Sequence, residues 1–125
     1  MKKKYLDLCD IDAYQRSFQL SNLLWPLVLR WDYFSRDTVG KQFVRAIDSI
    51  SANIAEGFGR YHKRDKIHFY RYAYGSIQES IDWVSKSRSR KLLSDDQCNQ
   101  LLSSLKNMLF SLHHLIKFTD EKLTQ

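Results

Sequence analysis

The sequence predicts an all-α protein, and three observations lead to this prediction. The 125 residues contain only 4 glycines and 1 proline, too few for a β-sandwich or barrel, which needs a turn every ~8–12 residues. The sequence has no glycine-rich loop of the kind that opens a doubly wound α/β fold. Apolar residues recur at spacings of three and four along most of the chain. We therefore predict one domain, residues 1–125, folded as an antiparallel up-down-up-down four-helix bundle.

The first predicted helix covers about residues 12–34. Asp12 followed by Gln15 resembles a capping box, and Pro26 predicts a kink because proline removes one backbone donor. This helix carries two apolar stripes, one more than a helix of a monomeric bundle needs. One stripe contains Tyr14, Phe18, Trp25 and Val28, and the other contains Leu20, Leu24, Leu27, Trp31 and Phe34.

The second predicted helix covers about residues 38–58, with Asp37 or Thr38 as its N-cap and Gly57 and Gly59 near its end. Its apolar stripe contains Val39, Phe43, Ile47, Ile50, Ile54 and Phe58. A polar stripe beside it contains Gln42, Arg45, Ser49, Asn53, Glu56 and Arg60. Spacing alone leaves two interpretations of the polar stripe open: a solvated face, or a buried network that specifies the register of the bundle.

The third predicted helix covers about residues 64–91, and the fourth covers about 95–122 and opens with a capping box at Ser94 and Gln97. The predicted core stripe of the third helix contains Tyr70, Tyr74, Ile77, Ile81 and Val84. An aromatic face on its opposite side contains Phe69, Tyr72, Ser76 and Trp83. Three aligned aromatic residues away from the core predict self-association through this face. The alternative is that the aromatic face lies inside the bundle and the Tyr/Ile stripe meets a neighbouring chain.

Positive charge is concentrated at the two ends of the third predicted helix. The net charge of the chain is +6, and residues 63–91 hold most of the excess. The basic residues of this segment are Lys63, Arg64, Lys66, Arg71, Lys86, Arg88, Arg90 and Lys91. Clustered Arg and Lys in a basic domain are typical of phosphate binding, so we predict a nucleic-acid contact here. Part of the C-terminal cluster also has a structural explanation, because cations stabilise the end of a helix dipole.

The sequence contains no pattern typical of a catalytic or metal site. His113 and His114 are adjacent and point about 100° apart on a helix, so they cannot chelate one ion. Cys9 and Cys98 match neither a disulfide framework nor a metal site. We therefore expect no enzyme activity, no cofactor and no metal. The absence of a long apolar run and of an apolar signal-peptide segment predicts a cytoplasmic protein without membrane contact.

Three motifs resemble those of a known family. Gln42-Phe-Val-Arg-Ala matches a Q-x-x-R-A element, and residues 49–60 match S-x-x-x-N-I-A-E-G-x-G-R. Residues 69–79 match F-x-x-x-A-x-G-S-x-x-E. These elements are similar to those of the four-helix bundle proteins encoded in intervening sequences of bacterial large-subunit ribosomal RNA genes. A related branch comprises the accessory variability determinant proteins of diversity-generating retroelements. The resemblance covers roughly residues 30–90.

The resemblance implies a homopentameric ring without assigned enzyme activity, and, through the related branch, binding of nucleic acid and of a reverse transcriptase. It also implies a polar network at Gln42, Arg45, Ser49, Asn53, Glu56, Arg60, Ser76 and Glu79, which favours the buried interpretation. Gly75 and Ser76 would then be small because another backbone passes close to them. The residues from Tyr33 to Asp37 depart from the proline and acidic residue of many members, so the first interhelical turn is expected to differ.

These observations leave three classes of function to compare. The first is a non-enzymatic oligomeric adaptor that binds nucleic acid, structured RNA or RNA/DNA, through basic residues of the third helix. The second is a protein-binding scaffold with no nucleic-acid role, in which the charge serves solubility. A third class, a hydrolase using Glu56 and Glu79, has neither a nucleophile nor a metal pattern to support it. Salt-dependent binding of RNA or DNA separates the first two classes.

Overall fold

The computed structural model describes residues 6–123, so the basic start of the chain, Met1 to Lys4, lies outside the described residues. The long helices are α1 (Asp12–Leu29), α3 (Lys41–Phe58), α4 (Lys63–Ser89) and α5 (Asp95–Lys122). A 3-10 turn (Leu8–Asp10) precedes α1, and the three-residue helix α2 (Tyr33–Ser35) leads through a π-helical turn (Arg36–Gly40) into α3. No strand occurs within residues 6–123, and the all-α prediction is confirmed.

The four long helices pack in the order in which the chain visits them: α1 on α3, α3 on α4, α4 on α5, and α5 back on α1. Contacts join opposite ends of neighbours. Lys63 at the start of α4 donates to the Asp120 carbonyl near the end of α5 at 3.1 Å. Asp12 at the start of α1 accepts a hydrogen bond from Ser111 in the second half of α5. Antiparallel neighbours joined by short connections produce such contacts, and the four-helix bundle is confirmed.

The core is one apolar cluster in which all four long helices take part. Phe43, Ile47, Ile50 and Ile54 of α3 are completely buried, as the spacing of its apolar stripe predicts. Each such side chain contributes about 1.5–3 kcal/mol when it is removed from water. The α5 helix begins at the predicted capping box, where the Ser94 hydroxyl accepts from the amide of Gln97 at 3.1 Å.

The predicted boundary between the first two helices is wrong. The α1 helix continues through Pro26 but ends at Leu29, not near residue 34, and the N-cap of the next helix is Asp32 rather than Asp37 or Thr38. The Asp32 carboxylate accepts from the Ser35 amide at 3.1 Å, and its extended backbone ends the preceding helix. Because the capping carboxylate satisfies a free amide of the first turn, starting a new helix here is favoured over prolonging α1.

The π-helical turn brings α3 against α1. A π-helical turn holds more residues than an α-helical turn, so it changes which side chains of the segment point inward. Val39 and Gly40 are buried within this turn, whereas Phe34, just before it, is exposed. A Cβ atom at Gly40 would lie only 2.7 Å from Cγ1 of Val28. The missing side chain therefore lets the two helices approach closely.

The predicted core stripe of α4 is wrong at Tyr74. This side chain is 44% exposed, and Ile81 is only partly buried. The buried side of α4 instead contains Tyr70, Ala73, Ile77, Ser80, Val84 and Ser87. Small residues at positions 73 and 80 allow close packing, and this packing places the larger Tyr74 at the rim next to α5. The Ser80 hydroxyl is satisfied inside the core because it donates to the Ser76 carbonyl at 2.8 Å.

Candidate functional site: the surface of α3 and α4

The three sequence motifs meet on one surface formed by α3 and α4, which we call the α3/α4 face. The guanidinium carbon of Arg60 lies 4.6 Å from the ring centroid of Phe69. At the other end of the helices, Gln42 and Trp83 line the same cavity. The polar stripe of α3 and the aromatic face of α4 are therefore neighbours. Spacing places each stripe on its own helix, but only the packing of α3 on α4 brings the two stripes together.

Two interpretations of the polar stripe were open, a solvated face and a buried network. Within a single chain, the stripe is a solvated face. Its Gln42, Arg45, Glu56 and Arg60 are exposed, and Glu56 forms an i, i+4 ion pair with Arg60 at 3.7 Å. Ser49 and Asn53, both half-buried, bond to carbonyls of their own helix at 2.7 and 2.8 Å. The resemblance implies a buried polar network at these positions. Within residues 6–123, however, their side chains lie at the surface of the bundle and not in its interior.

The aromatic face of α4 is only partly exposed. Tyr72 is 51% exposed, whereas Phe69, Ser76 and Trp83 are half-buried. Trp83 packs against the core cluster, and its indole nitrogen donates to the exposed Glu79 at 3.4 Å. Of the two predicted faces of α4, each therefore presents one exposed tyrosine, Tyr72 on one side and Tyr74 on the other.

Gly75 faces open space. A Cβ atom built at this position would meet no atom within 4 Å in the described part of the chain. The expectation that another backbone passes close to Gly75 and Ser76 is thus wrong for the single protomer. No contact among the described residues therefore requires glycine at position 75.

The basic residues at the start of α4 are partly used by the fold. Lys63 approaches the Asp120 carboxylate at 3.8 Å. Lys66 donates to the Phe58 carbonyl at the end of α3 at 2.7 Å, and its burial lowers the pKa of its ammonium group. Arg64 and Arg71 are exposed. A surface cavity of about 410 Å³ lies here, lined by Lys63, Arg64, Ile67, His68, Arg71 and Asp120.

At the end of α4, too, some basic residues bond to neighbouring side chains and others are exposed. Lys86 is paired with Asp82 at 2.6 Å, and Arg88 donates to the side-chain oxygen of Asn99 at 2.7 Å. Arg90 and Lys91 are exposed and form no ion pair within residues 6–123. Lys91 has a φ of 58°, in the left-handed region, at the turn where the Leu92 amide bonds to the Ser87 carbonyl at 2.9 Å.

The predicted basic residues form two clusters, one at each end of α4, where the sequence predicts them. About 22 Å of helix separates Arg71 from Lys86. Among the predicted basic residues that the structure describes, the exposed ones without an acidic partner are Arg64 and Arg71 at the first end, and Arg90 and Lys91 at the second.

A second cavity was not predicted from the sequence. It has a volume of about 710 Å³, and it lies between the π-helical turn and the end of α4. Its lining residues are Phe34, Ser35, Asp37, Thr38, Val39, Gln42, Trp83, Arg90 and Leu92. The cavity could not be predicted because the first helix was predicted to continue to about residue 34, whereas a separate helix, α2, begins at Tyr33. The sequence signal that could have found it is Asp32, an N-cap followed directly by two aromatic residues.

Apolar side chains remain exposed elsewhere on the bundle. Phe18, Trp25 and Leu29 on α1 and Phe110 on α5 are all exposed, which agrees with the doubled apolar stripe of the first predicted helix. Among the described residues, no group of three or more His, Cys, Asp or Glu side chains is arranged to hold a metal ion. No helix within residues 6–123 has the length and apolar character required to cross a membrane.

Comparison with known proteins relates this chain to one protein family. A family model described as "23S rRNA-intervening sequence protein" matches residues 9–114. Among solved structures, the chain is similar to a protein of unknown function from the S23 ribosomal protein family of Bacteroides thetaiotaomicron. The TM-score is 0.75 at 19% sequence identity, and the match covers 84% of this chain and 98% of the other. At this identity the likeness concerns the fold alone. A search of curated proteins yields no match.

Proposed function

This chain belongs to the 23S rRNA-intervening sequence protein family, and from that premise we propose that it is a non-enzymatic, oligomeric adaptor that binds nucleic acid in the cytoplasm. The observation that carries the proposal is the pair of exposed cation clusters at the ends of α4. Arg64 and Arg71 at one end and Arg90 and Lys91 at the other have no acidic partner in the described part of the chain. The binding partner would be RNA, or an RNA/DNA pair.

Unpaired surface cations favour a polyanion for a physical reason. Each phosphate neutralised by Lys or Arg releases a condensed counterion, and this release drives binding at low salt. A cation already paired to a carboxylate, such as Lys86 with Asp82, has less to gain. The two clusters on α4 lie far enough apart to contact separate phosphates of one strand or helix.

Assembly into a homo-oligomer, a pentamer by resemblance, is part of the same proposal. The exposed Tyr72 and the open space at Gly75 support a neighbouring protomer on the α3/α4 face. A ring repeats the cation clusters around one particle, so contacts that are weak in one protomer add through effective concentration. A reverse transcriptase, implied by the resemblance to the related branch, is a proposed protein partner of this assembly.

The test is the salt dependence of RNA binding. We expect the affinity for a labelled structured RNA to fall steeply between 50 and 200 mM salt, roughly tenfold or more. Arg90→Ala combined with Lys91→Gly should reduce both the affinity and the salt slope. Glycine suits the left-handed backbone at position 91, so this variant should remain folded.

The matched control removes two cations from another surface. Lys106→Ala with Lys117→Ala changes the net charge equally on α5 and should leave most of the affinity intact. A slope near zero for the native protein would contradict the proposal and favour the protein-binding scaffold. Equal losses in both variants would mean that only net charge matters and that the α4 clusters are not a site.

A further inference from the structure

The cavity beside the π-helical turn combines three kinds of side chain. Phe34 contributes an aromatic ring that is 73% exposed. Arg90 contributes a guanidinium without an ion-pair partner among residues 6–123, and Gln42 contributes an amide without a hydrogen bond there. The half-buried Trp83 forms a further wall. An aromatic ring, an amide and a free cation on one concave surface match the parts of a nucleotide: base face, base edge and phosphate.

We propose that this cavity binds one unpaired nucleotide of a single-stranded nucleic acid. The base stacks on Phe34, the Gln42 amide hydrogen-bonds the base edge, and Arg90 holds the adjoining phosphate. The inference rests on the proposed function and specifies the form of nucleic acid that the site takes. Bases in an RNA duplex are stacked and paired, whereas those in loops and ends can be splayed onto aromatic side chains.

Size and charge agree with this ligand. A volume of about 710 Å³ falls in the range of pockets that hold small organic ligands, ~300–1,000 Å³. Asp37 is the one acidic residue of the lining, and Lys41 lies 3.5 Å from its carboxylate, so its charge is balanced. Lys86, which lies 4.6 Å from the Trp83 ring centroid, is paired with Asp82, so Arg90 supplies the positive charge of the cavity.

The platform for the base is held in place before any ligand arrives. The Thr38 hydroxyl donates to the Phe34 carbonyl at 2.7 Å, and the Asp32 carboxylate caps the Ser35 amide on the other side of Phe34 at 3.1 Å. Val39 anchors the turn in the core. Because this backbone is fixed on both sides of Phe34, stacking a base costs little ordering of the chain.

The experiment compares labelled oligonucleotides by fluorescence anisotropy at fixed salt. The probes are a 12-nucleotide oligouridylate, a blunt 12-base-pair RNA duplex, and a 12-nucleotide oligothymidylate that separates RNA from DNA. The variants are Phe34→Ala, Gln42→Ala and, as a matched control, Phe110→Ala, whose ring is also 73% exposed but lies on α5. Sedimentation of each variant reports the oligomeric state.

We expect Phe34→Ala to weaken binding of the single-stranded probes by roughly tenfold, as the loss of one stacked base does, with duplex binding nearly unchanged. Phe110→Ala should have no such effect. Binding of all probes with no difference between Phe34→Ala and native protein overturns the nucleotide site but not the proposed function. No binding of any probe overturns both. A change in sedimentation by Phe34→Ala at unchanged affinity would assign the cavity to a protein contact and also overturn the inference.

Discussion

Gly57 and Gly75 are both helical glycines, yet their surroundings differ completely. A Cβ atom at Gly57 would lie 2.7 Å from the Tyr70 ring and 2.9 Å from the Lys66 carbonyl. We expect Gly57→Ala to lower the free energy of unfolding by about 1–3 kcal/mol, since overpacking displaces backbone. Gly75→Ala should raise it by about 0.5–1 kcal/mol, because alanine is the better helix former. Urea denaturation of both variants measures the contrast, and equal effects would contradict it.

Tyr70 is the largest fully buried side chain of the bundle, and burial raises the pKa of its phenol to about 12. An unfolded tyrosine ionises near pH 10, so the folded state binds this proton more tightly. The corresponding stability is present below about pH 10 and is lost as the pH rises toward about 12. We expect the native protein to lose more unfolding free energy than Tyr70→Phe between pH 9 and 11. Parallel pH dependences would contradict this assignment.

At the scale of elements, Asp32 determines where α1 and α3 meet. Its carboxylate caps a continuous segment formed by α2, the π-helical turn and α3, and its hydrogen bonds to the Ser35 side chain and amide lower the pKa of this carboxyl. We expect Asp32→Ala to lower the melting temperature by a few degrees, about what the loss of one helix cap produces. Asp32→Asn should retain most of the cap, because the amide oxygen also accepts from the Ser35 amide. Thermal unfolding at pH 7 measures both variants. A larger loss for Asp32→Asn than for Asp32→Ala would show that the carboxylate does not act as a cap.

At the scale of the whole molecule, the question is which side of α4 meets a neighbouring protomer. Tyr72 is exposed next to Phe69 on the aromatic face of α4, whereas Tyr74 is exposed next to Leu109 of α5. We expect Tyr72→Ala to produce smaller species in sedimentation with unchanged helical content by circular dichroism. Trp83→Ala should reduce assembly and protomer stability together, because Trp83 packs against the core. The partly buried Phe69 should behave in an intermediate way.

The control for this experiment is Tyr74→Ala. If the neighbour lies on the α3/α4 face, this variant should assemble normally. Dissociation by Tyr74→Ala but not by Tyr72→Ala would mean that the Tyr/Ile side of α4 meets the neighbour, which is the alternative left open by the sequence.

Much of this protein can be predicted from its sequence. The four long helices, the buried stripe of α3 and the capping box at Ser94 follow from apolar spacing and local hydrogen bonding, which depend on residues close together in the chain. The family also follows from local motifs around Asn53 and Gly75. The basic residues at the two ends of α4 could also be identified, because the positions of Lys and Arg are read directly from the sequence.

Only the tertiary structure decided which of these residues act together. It placed the polar stripe of α3 beside the aromatic face of α4 and moved Tyr74 from the core to the rim. It also separated the basic residues that form ion pairs within residues 6–123 from those that form none there. It also formed the cavity that joins Phe34 to Arg90. The physical reason is that a helical repeat specifies a side chain's direction relative to its own axis. How far each helix is rotated about its axis relative to its neighbours depends on close packing between helices, such as that of Gly57 on Tyr70. The sequence of one helix does not specify this packing.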